Sequence, residues 1–191
     1  RQRQTCAATG LISHSAFAQA APGAVVLVQP ACLEPAATRA LGRSSGHGLA
    51  ARGIGIVYGG GKVGIMGALA DAALKAGGEV VGVIPSALCE RELAHEGLSE
   101  LVVVDDMAQR KAQLAGRAQV LIALPGGFGT LEELSEALSW AQLDLHAKPL
   151  LLLNTIGYFD DLLAFFDHAV ATDFLRPEHR ALIEVCDRVE D

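Results

Sequence analysis

From residue 24 onward, short runs that are apolar on both faces alternate with longer segments of helical character. Few folds accept that pattern. A strand with no polar face must be covered on both sides, which favours a parallel sheet between two helical layers. Strands are expected at 24–28, 55–58, 79–84, 101–104, 120–124 and 150–153, with an edge strand at 181–185. Helices are expected at 34–52, 64–76, 107–116, 130–143 and 159–171, and residues 86–97 read as a charged connection. Gly42, Gly46 and Gly48 weaken the first helix, whereas Gly77-Gly78 supplies a stop for the second. Right-handed strand–helix–strand units of this pitch build a doubly wound α/β sheet with helices on both faces. No repeat, linker or low-complexity tract interrupts residues 24–191, so a single domain is expected.

Composition narrows the function classes. Half of the residues are apolar (51%) and 19% are charged, a globular balance with a large buried fraction. A formal net charge of −7 offers no surface for nucleic acid or an anionic membrane, although backbone amides still bind a small anion locally. No apolar run approaches the roughly 20 residues needed to span a bilayer. Cys6, Cys32, Cys89 and Cys186 are scattered, with no Cys-x-x-C and no histidine at metal spacing. They read as free thiols in a reducing, cytoplasmic compartment, and no metal site is expected. In residues 1–23 an apolar stretch after Arg1 and Arg3 is broken by Ser13, His14, Ser15 and Gln19. That break argues against a secretory signal, and a disordered leader is expected.

All strands of a parallel sheet end at the same rim, and ligands bind beyond those carboxyl ends. The loops after Tyr58, Ile84, Val104 and Leu124 are therefore expected to share one rim. The strongest signal there is Pro125-Gly126-Gly127-Phe128-Gly129-Thr130-Leu131-Glu132-Glu133, which follows a buried strand and opens a helix. Its glycines let the backbone approach a ligand, and amides at a helix start face an anion along the helix dipole. Gly126, Gly127, Phe128, Gly129 and Thr130 form the expected phosphate turn, with Thr130 also placed to cap the helix. Glu133 lies about one turn in. The same residues also fit a plain capping box, Thr130 at the cap and Glu133 three residues on. The segment is neither a Walker loop nor Gly-x-Gly-x-x-Gly.

Two further elements fall on this rim. Tyr58-Gly59-Gly60-Gly61-Lys62-Val63-Gly64-Ile65-Met66-Gly67 joins a strand to a helix, and Gly59, Gly60, Gly61 and Met66 either line the cleft or simply pack helix on strand. Met107-Ala108-Gln109-Arg110-Lys111 follows the fourth strand, with Met107 a further lining residue. Arg110 offers phosphate or carboxylate a bidentate fork that Lys111 does not. The alternative for Arg110-Lys111 is an exposed basic pair on a solvated helix face.

In combination, residues 58–67, Gly82-Val83-Ile84-Pro85, Arg110-Lys111 and the segment 125–133 have the order and spacing of the Lonely Guy (LOG) family, which this sequence resembles. Trp140-Ala141-Gln142-Leu143, Lys148-Pro149, Asn154 and Gly157-Tyr158 extend the similarity, which covers about residues 49–176. The resemblance implies a Rossmann-like homodimer. It further implies hydrolysis of the N-glycosidic bond of adenosine 5′-monophosphate-type nucleotides (cytokinin ribotides or AMP) to free base and ribose 5-phosphate, with no cofactor. It makes Arg110 and Glu133 the catalytic pair. Glu92, Lys111, Gly127, Phe128, Gly129, Thr130, Leu131, Glu132 and Ser139 fall at its substrate-contact positions. Two departures are plain. The family's Cys-Gly-Ser-Ser-like turn after the first strand is Gln29-Pro30-Ala31-Cys32, with Ser44-Ser45-Gly46 appearing only later. Its Met-His-x-Arg-Lys is Met107-Ala108-Gln109-Arg110-Lys111.

The chemistry assigns roles to the pair. Breaking a ribosyl bond develops oxocarbenium character, which a carboxylate stabilises while orienting water. Glu133 is expected to do this, with Arg110 orienting phosphate or sugar and holding Glu133 ionised. The competing reading is a non-catalytic nucleotide sensor or cofactor carrier using the same cleft. Lysine decarboxylation would need a pyridoxal-phosphate lysine, and nothing in the sequence marks one.

Overall fold

The computed structural model describes residues 25–28, 36–89 and 94–188, so the expected leader and the turn after the first strand lie outside the described residues. Seven strands are formed among those described: β1 (Val25–Val28), β2 (Gly55–Tyr58), β3 (Val80–Pro85), β4 (Glu100–Val104), β5 (Val120–Ala123), β6 (Leu150–Leu153) and β7 (Ile183–Cys186). All pair in parallel, in the order β4-β3-β2-β1-β5-β6-β7. The helices are α1 (Ala36–Ala51), α2 (Gly64–Lys75), α3 (Ser86–Cys89), α4 (Met107–Arg117), α5 (Phe128–Gln142), α6 (Asp160–Ala171) and α7 (Pro177–Arg180). None is long and apolar enough to cross a membrane.

Apolar strands are covered on both faces, as their composition requires. Ile56, Tyr58, Val120, Ile122, Leu151 and Leu153 pack into one core with Leu49 of α1 and Ile65, Leu69 and Ala73 of α2. The alternate residues Val57, Leu121, Leu150 and Leu152 pack into the other, with Leu114 of α4, Leu134 and Ala137 of α5, and Phe159. The pleat thus divides one apolar run between two layers.

The chain reverses its direction of growth at β1. Strands β2 to β4 are added on one side of it and β5 to β7 on the other, and Val26 pairs with Val120 as Leu27 does with Leu121. The crevice at such a switch lies beyond the carboxyl ends of the two neighbours. Here that places the segment after β5 at its edge.

The glycines of α1 do not break it. The helix runs 16 residues because Gly42 and Gly46 lie against the backbone of α2. A Cβ on Gly42 would sit 2.7 Å from the Ile65 carbonyl oxygen, and one on Gly46 would overlap that of Leu69. Ser45, next to Gly46, is also buried, its hydroxyl without a hydrogen-bond partner. Helix α2 stops as its sequence requires. Gly77 takes φ +78, and the amides of Gly77 and Gly78 donate to Leu74 and Ala73, the paired bonds of a Schellman ending.

Close helix contact and helix propensity make opposite forecasts for Gly46→Ala. Propensity favours alanine by about 1 kcal/mol. Overpacking against a backbone carbonyl costs about 1–3 kcal/mol and cannot be relieved by rotating a side chain. Urea denaturation should therefore show Gly46→Ala to be less stable than wild type. A more stable variant would show that the helices are not packed this tightly.

Candidate active site at the switch point

Helix α4 delivers the arginine. Asp106 caps it, its Oδ1 accepting the Gln109 amide at 2.8 Å, which fixes the start of the helix beside the end of β4. Arg110 and Leu114, four residues apart, form its buried stripe. Arg110 is only 5% exposed, so the solvated-face alternative does not hold. Its Nη1 donates to the Met107 sulfur at 3.7 Å, while Nε has no partner. The guanidinium lies directly over Gly59, where an added Cβ would overlap Nη2 and come within 3.4 Å of the Met66 sulfur. Gly59 is the lining residue in contact with Arg110. Gly60 and Gly61 instead anchor the neighbouring loop: the Gly60 carbonyl accepts the His95 amide at 2.9 Å, and Gly61 bridges to Ala94. The Tyr58 hydroxyl closes the same turn on the Gly61 carbonyl at 3.1 Å.

Helix α5 delivers the carboxylate, and it begins two residues earlier than expected. Gly127 is the N-cap and Phe128 the first helical residue, with no side-chain cap. The capping-box reading is therefore corrected: Thr130 lies in the first turn, buried, and Glu133 a further turn inside. Gly127 starts the helix from φ −93 and ψ −149, a few residues past the end of β5. The Leu131 amide already donates to the Gly127 carbonyl at 3.2 Å, so the amides before it point along the axis toward the rim. The Tyr158 hydroxyl donates to the Gly126 carbonyl at 2.6 Å, tying this turn to the loop after β6. Asn154 shapes that loop, accepting the Phe159 amide at 2.7 Å and donating to Asp160 at 2.8 Å.

Glu133 is 7% exposed and its Oε2 has no partner. Burial pushes its carboxyl up to about 7; the Arg110 charge opposes this, Glu132 adds to it, Lys111 opposes it and Glu136 adds to it. Arg110 and Glu133 are thus close enough to feel one another, yet each keeps a polar atom unpaired. An uncompensated buried charge is expensive, and such groups concentrate at functional sites.

The remaining expected residues divide. Gly127, Phe128 and Gly129 are exposed at the rim, with Phe128 92% exposed. Lys111 bonds to Glu132 Oε1 at 2.8 Å and Glu136 Oε1 at 2.9 Å. Its ammonium is held protonated by those two hydrogen bonds, Glu132 first. Leu131 is half-buried. Ser139 stands 11 residues beyond Phe128 on α5, about 16 Å down the axis, beside Phe165 and Phe174 rather than the rim. Glu92 lies outside the described residues. Among those described, no group of three His, Cys, Asp or Glu side chains is placed to hold a metal ion. Glu136 and the Tyr158–Gly126 bond were missed in the sequence. Glu136 reads there as one more exposed helix charge, while Gly157-Tyr158 entered only as part of a resemblance.

Strand order, switch-point crevice and glycine-started helix together define a Rossmann-like α/β protein. Residues 66–191 match the family described as "Possible lysine decarboxylase", and the chain belongs to that family, the LOG family. It is 51% identical over 137 residues to the "Probable cytokinin riboside 5'-monophosphate phosphoribohydrolase LOGL9" of Oryza sativa subsp. japonica, covering 72% of this chain and 60% of that one. It is 49% identical over 138 residues to the cytokinin riboside 5'-monophosphate phosphoribohydrolase LOG1 of Arabidopsis thaliana, covering 72% and 65%. This chain therefore spans about three fifths of the length of these relatives. Among solved structures, the molybdenum cofactor carrier protein of Chlamydomonas reinhardtii superposes with a TM-score of 0.66 at 23% identity, covering 87% of this chain and 91% of that one. The molybdenum cofactor binding protein of Rippkaea orientalis gives 0.67 at 24%, covering 89% and 92%. At such identity the likeness is one of fold.

Glu133 couples the site to stability. Its folded pKa lies above the ordinary value of 4.5, so burial favours the protonated form. The stability this provides is complete below 4.5 and is lost as pH rises through about 7. Glu133→Gln, which cannot ionise, should then be more stable than wild type at pH 8 by at most about 3 kcal/mol. At pH 4 the two should be nearly equal. Denaturant titrations at both pH values test this, and an equal difference at both would refute the raised carboxyl.

Proposed function

We propose that the chain hydrolyses the N-glycosidic bond of adenosine-type nucleoside 5′-monophosphates, releasing free base and ribose 5-phosphate. The observation that carries this reading is the arrangement of Arg110 and Glu133. Both are buried, both are short of partners, and both lie beside a helix start whose amides suit a phosphate. The names of the relatives support the same class of substrate.

In this reading, the amides at the start of α5, with Thr130, hold the 5′-phosphate. Arg110 directs its fork to the phosphate or the sugar. As the bond from C1′ to the base nitrogen breaks, its electron pair leaves with the base and positive charge grows on the ribosyl ring. Glu133, as carboxylate, stabilises that charge and orients a water molecule, whose oxygen bonds to C1′. Of the water's protons, one remains on the new hydroxyl and one balances the departing base. The low-polarity surroundings that make the ionised Glu133 costly also make its charge effective. Gly126, Gly127, Phe128, Gly129 and Leu131 complete the phosphate turn. Free thiols at Cys89 and Cys186 agree with a cytoplasmic setting.

A homodimer belongs to the same proposal. Leu143 and Leu145, past the end of α5, together with Phe165 and Phe174, present large apolar side chains to solvent, more than scattered surface residues require. Light scattering at micromolar concentration should give twice the chain mass. A fully active monomer would remove this part of the proposal.

The decisive assay supplies AMP and N6-isopentenyl-adenosine monophosphate and follows free base and ribose 5-phosphate. Adenosine, without phosphate, should be a far poorer substrate than AMP. Turnover should rise with pH through about 7, because the working form of Glu133 is the carboxylate. Glu133→Gln should lower kcat by about 100-fold or more with AMP affinity nearly kept. Arg110→Ala should weaken binding and turnover together. A wild-type protein that binds AMP and cleaves no ribotide would instead be a sensor or carrier.

A further inference from the structure

We propose that Lys111 is a positioning residue: with Glu132 and Glu136 it clamps α4 to α5 and keeps Arg110 and Glu133 near one another without letting them close into an ion pair. This deepens the hydrolase reading and rests on it for its kinetic arm. The LOG resemblance places Lys111 at a substrate contact, and the geometry points elsewhere.

The clamp is built from the immediate neighbours of the catalytic pair. Lys111 follows Arg110 on α4, and Glu132 precedes Glu133 on α5. Consecutive helical residues point about 100° apart, so each helix turns one residue inward and the next toward the other helix. Arg110 and Glu133 are the buried members. Lys111 reaches across to Glu132 at 2.8 Å and to Glu136, one turn further on, at 2.9 Å. The side chains of Lys111 and Glu136 are 21% and 28% exposed, so the bridge is sheltered rather than fully solvated.

Beneath that bridge a cleft lined by Lys111, Leu114, Glu133, Glu136 and Trp140 opens between the two helices. The Arg110 charge favours the ionised form of Glu133, and opposite charges in low-polarity surroundings attract strongly. Left to move, they would close. Their unpaired Nε and Oε2 show that they do not, and Lys111 supplies the side-chain hydrogen bonds between α4 and α5 among the described residues. Two of the three donors of its ammonium are committed to carboxylates, which leaves at most one for a phosphate.

A mutant cycle with AMP tests this, using Lys111→Met, Glu136→Gln, the double variant and Lys111→Arg, each checked by thermal melting. The clamp predicts that each single change lowers kcat about 10-fold with KM within about 2-fold. The double variant should be no worse than the poorer single, rather than about 100-fold down as for independent sites. Lys111→Arg, which also spans two carboxylates, should recover most of the loss. A Lys111→Met variant with kcat kept and KM raised about 10-fold, alongside a silent Glu136→Gln, would make Lys111 a substrate contact and overturn the proposal. Multiplying losses, or none, would do the same. A second arm does not depend on catalysis: carboxyl carbon NMR titration of Glu133 in the free protein. Lys111→Met and Glu136→Gln should each lower that titration, because the released pair closes and Arg110 draws nearer to Glu133; a rise in Lys111→Met, the effect of the lost ammonium charge alone, would overturn the clamp. If wild type cleaves no ribotide, the hydrolase reading falls and this arm alone judges the clamp. If neither variant moves Glu133, the clamp has no hold on the pair and fails.

Discussion

Parallel pairing is the constraint on which the rest of this structure depends. Because every strand enters the sheet in the same direction, each exit falls on one rim and each return must cross a face as a helix. That single requirement brings Gly59, Arg110 and Glu133 together from three separate crossings. It also explains the covered faces of strands such as Leu150–Leu153, buried from end to end. The strand order adds the location: with β1 as the point where growth reverses, β5 lies at the crevice and α5 begins there.

The site runs against the economy of the core. A buried arginine without full hydrogen bonding and a buried, ionisable glutamate each cost stability, and a domain this size has only about 5–15 kcal/mol of net stability to set against them. The protein meets the cost with packing elsewhere. Leu69, Ala73, Val80, Val83 and Leu152 have no exposed surface, and α1 and α2 approach to glycine distance. Gly59 belongs to the same balance, since the space a Cβ would fill is occupied by the Arg110 guanidinium. Holding charge away from water and keeping the fold stable thus compete most directly at a few residues.

Much of the fold was legible in the sequence, and for a local reason. Strand β2 and strand β6 fall on their expected residues, and the others shift by no more than two at either end, because double-sided apolar runs between turn residues have few other outcomes. Gly77 stops α2 by a rule that depends on six consecutive residues. Two details needed the neighbouring element. Gly42 and Gly46 weaken α1 by propensity, yet the helix forms where it is expected with α2 packed against them, and Thr130 looks like a cap until Gly127 starts the helix first. Local propensity was overruled by what the neighbouring element demanded.

The candidate site divides in the same way. The pattern Pro-Gly-Gly-x-Gly-Thr-x-x-Glu and the Arg-Lys pair follow from residue type and spacing, and these are properties of the sequence itself. So are the class of fold and the shared rim. The sequence does not contain the 5% exposure of Arg110, the carboxyl of Glu133 raised to about 7, or the choice of Glu132 and Glu136 as partners for Lys111. Desolvation and charge coupling depend on which surfaces close over a group and which charges remain nearby. Only the packed tertiary structure, with α4 and α5 laid side by side on one face of the sheet, decides those distances.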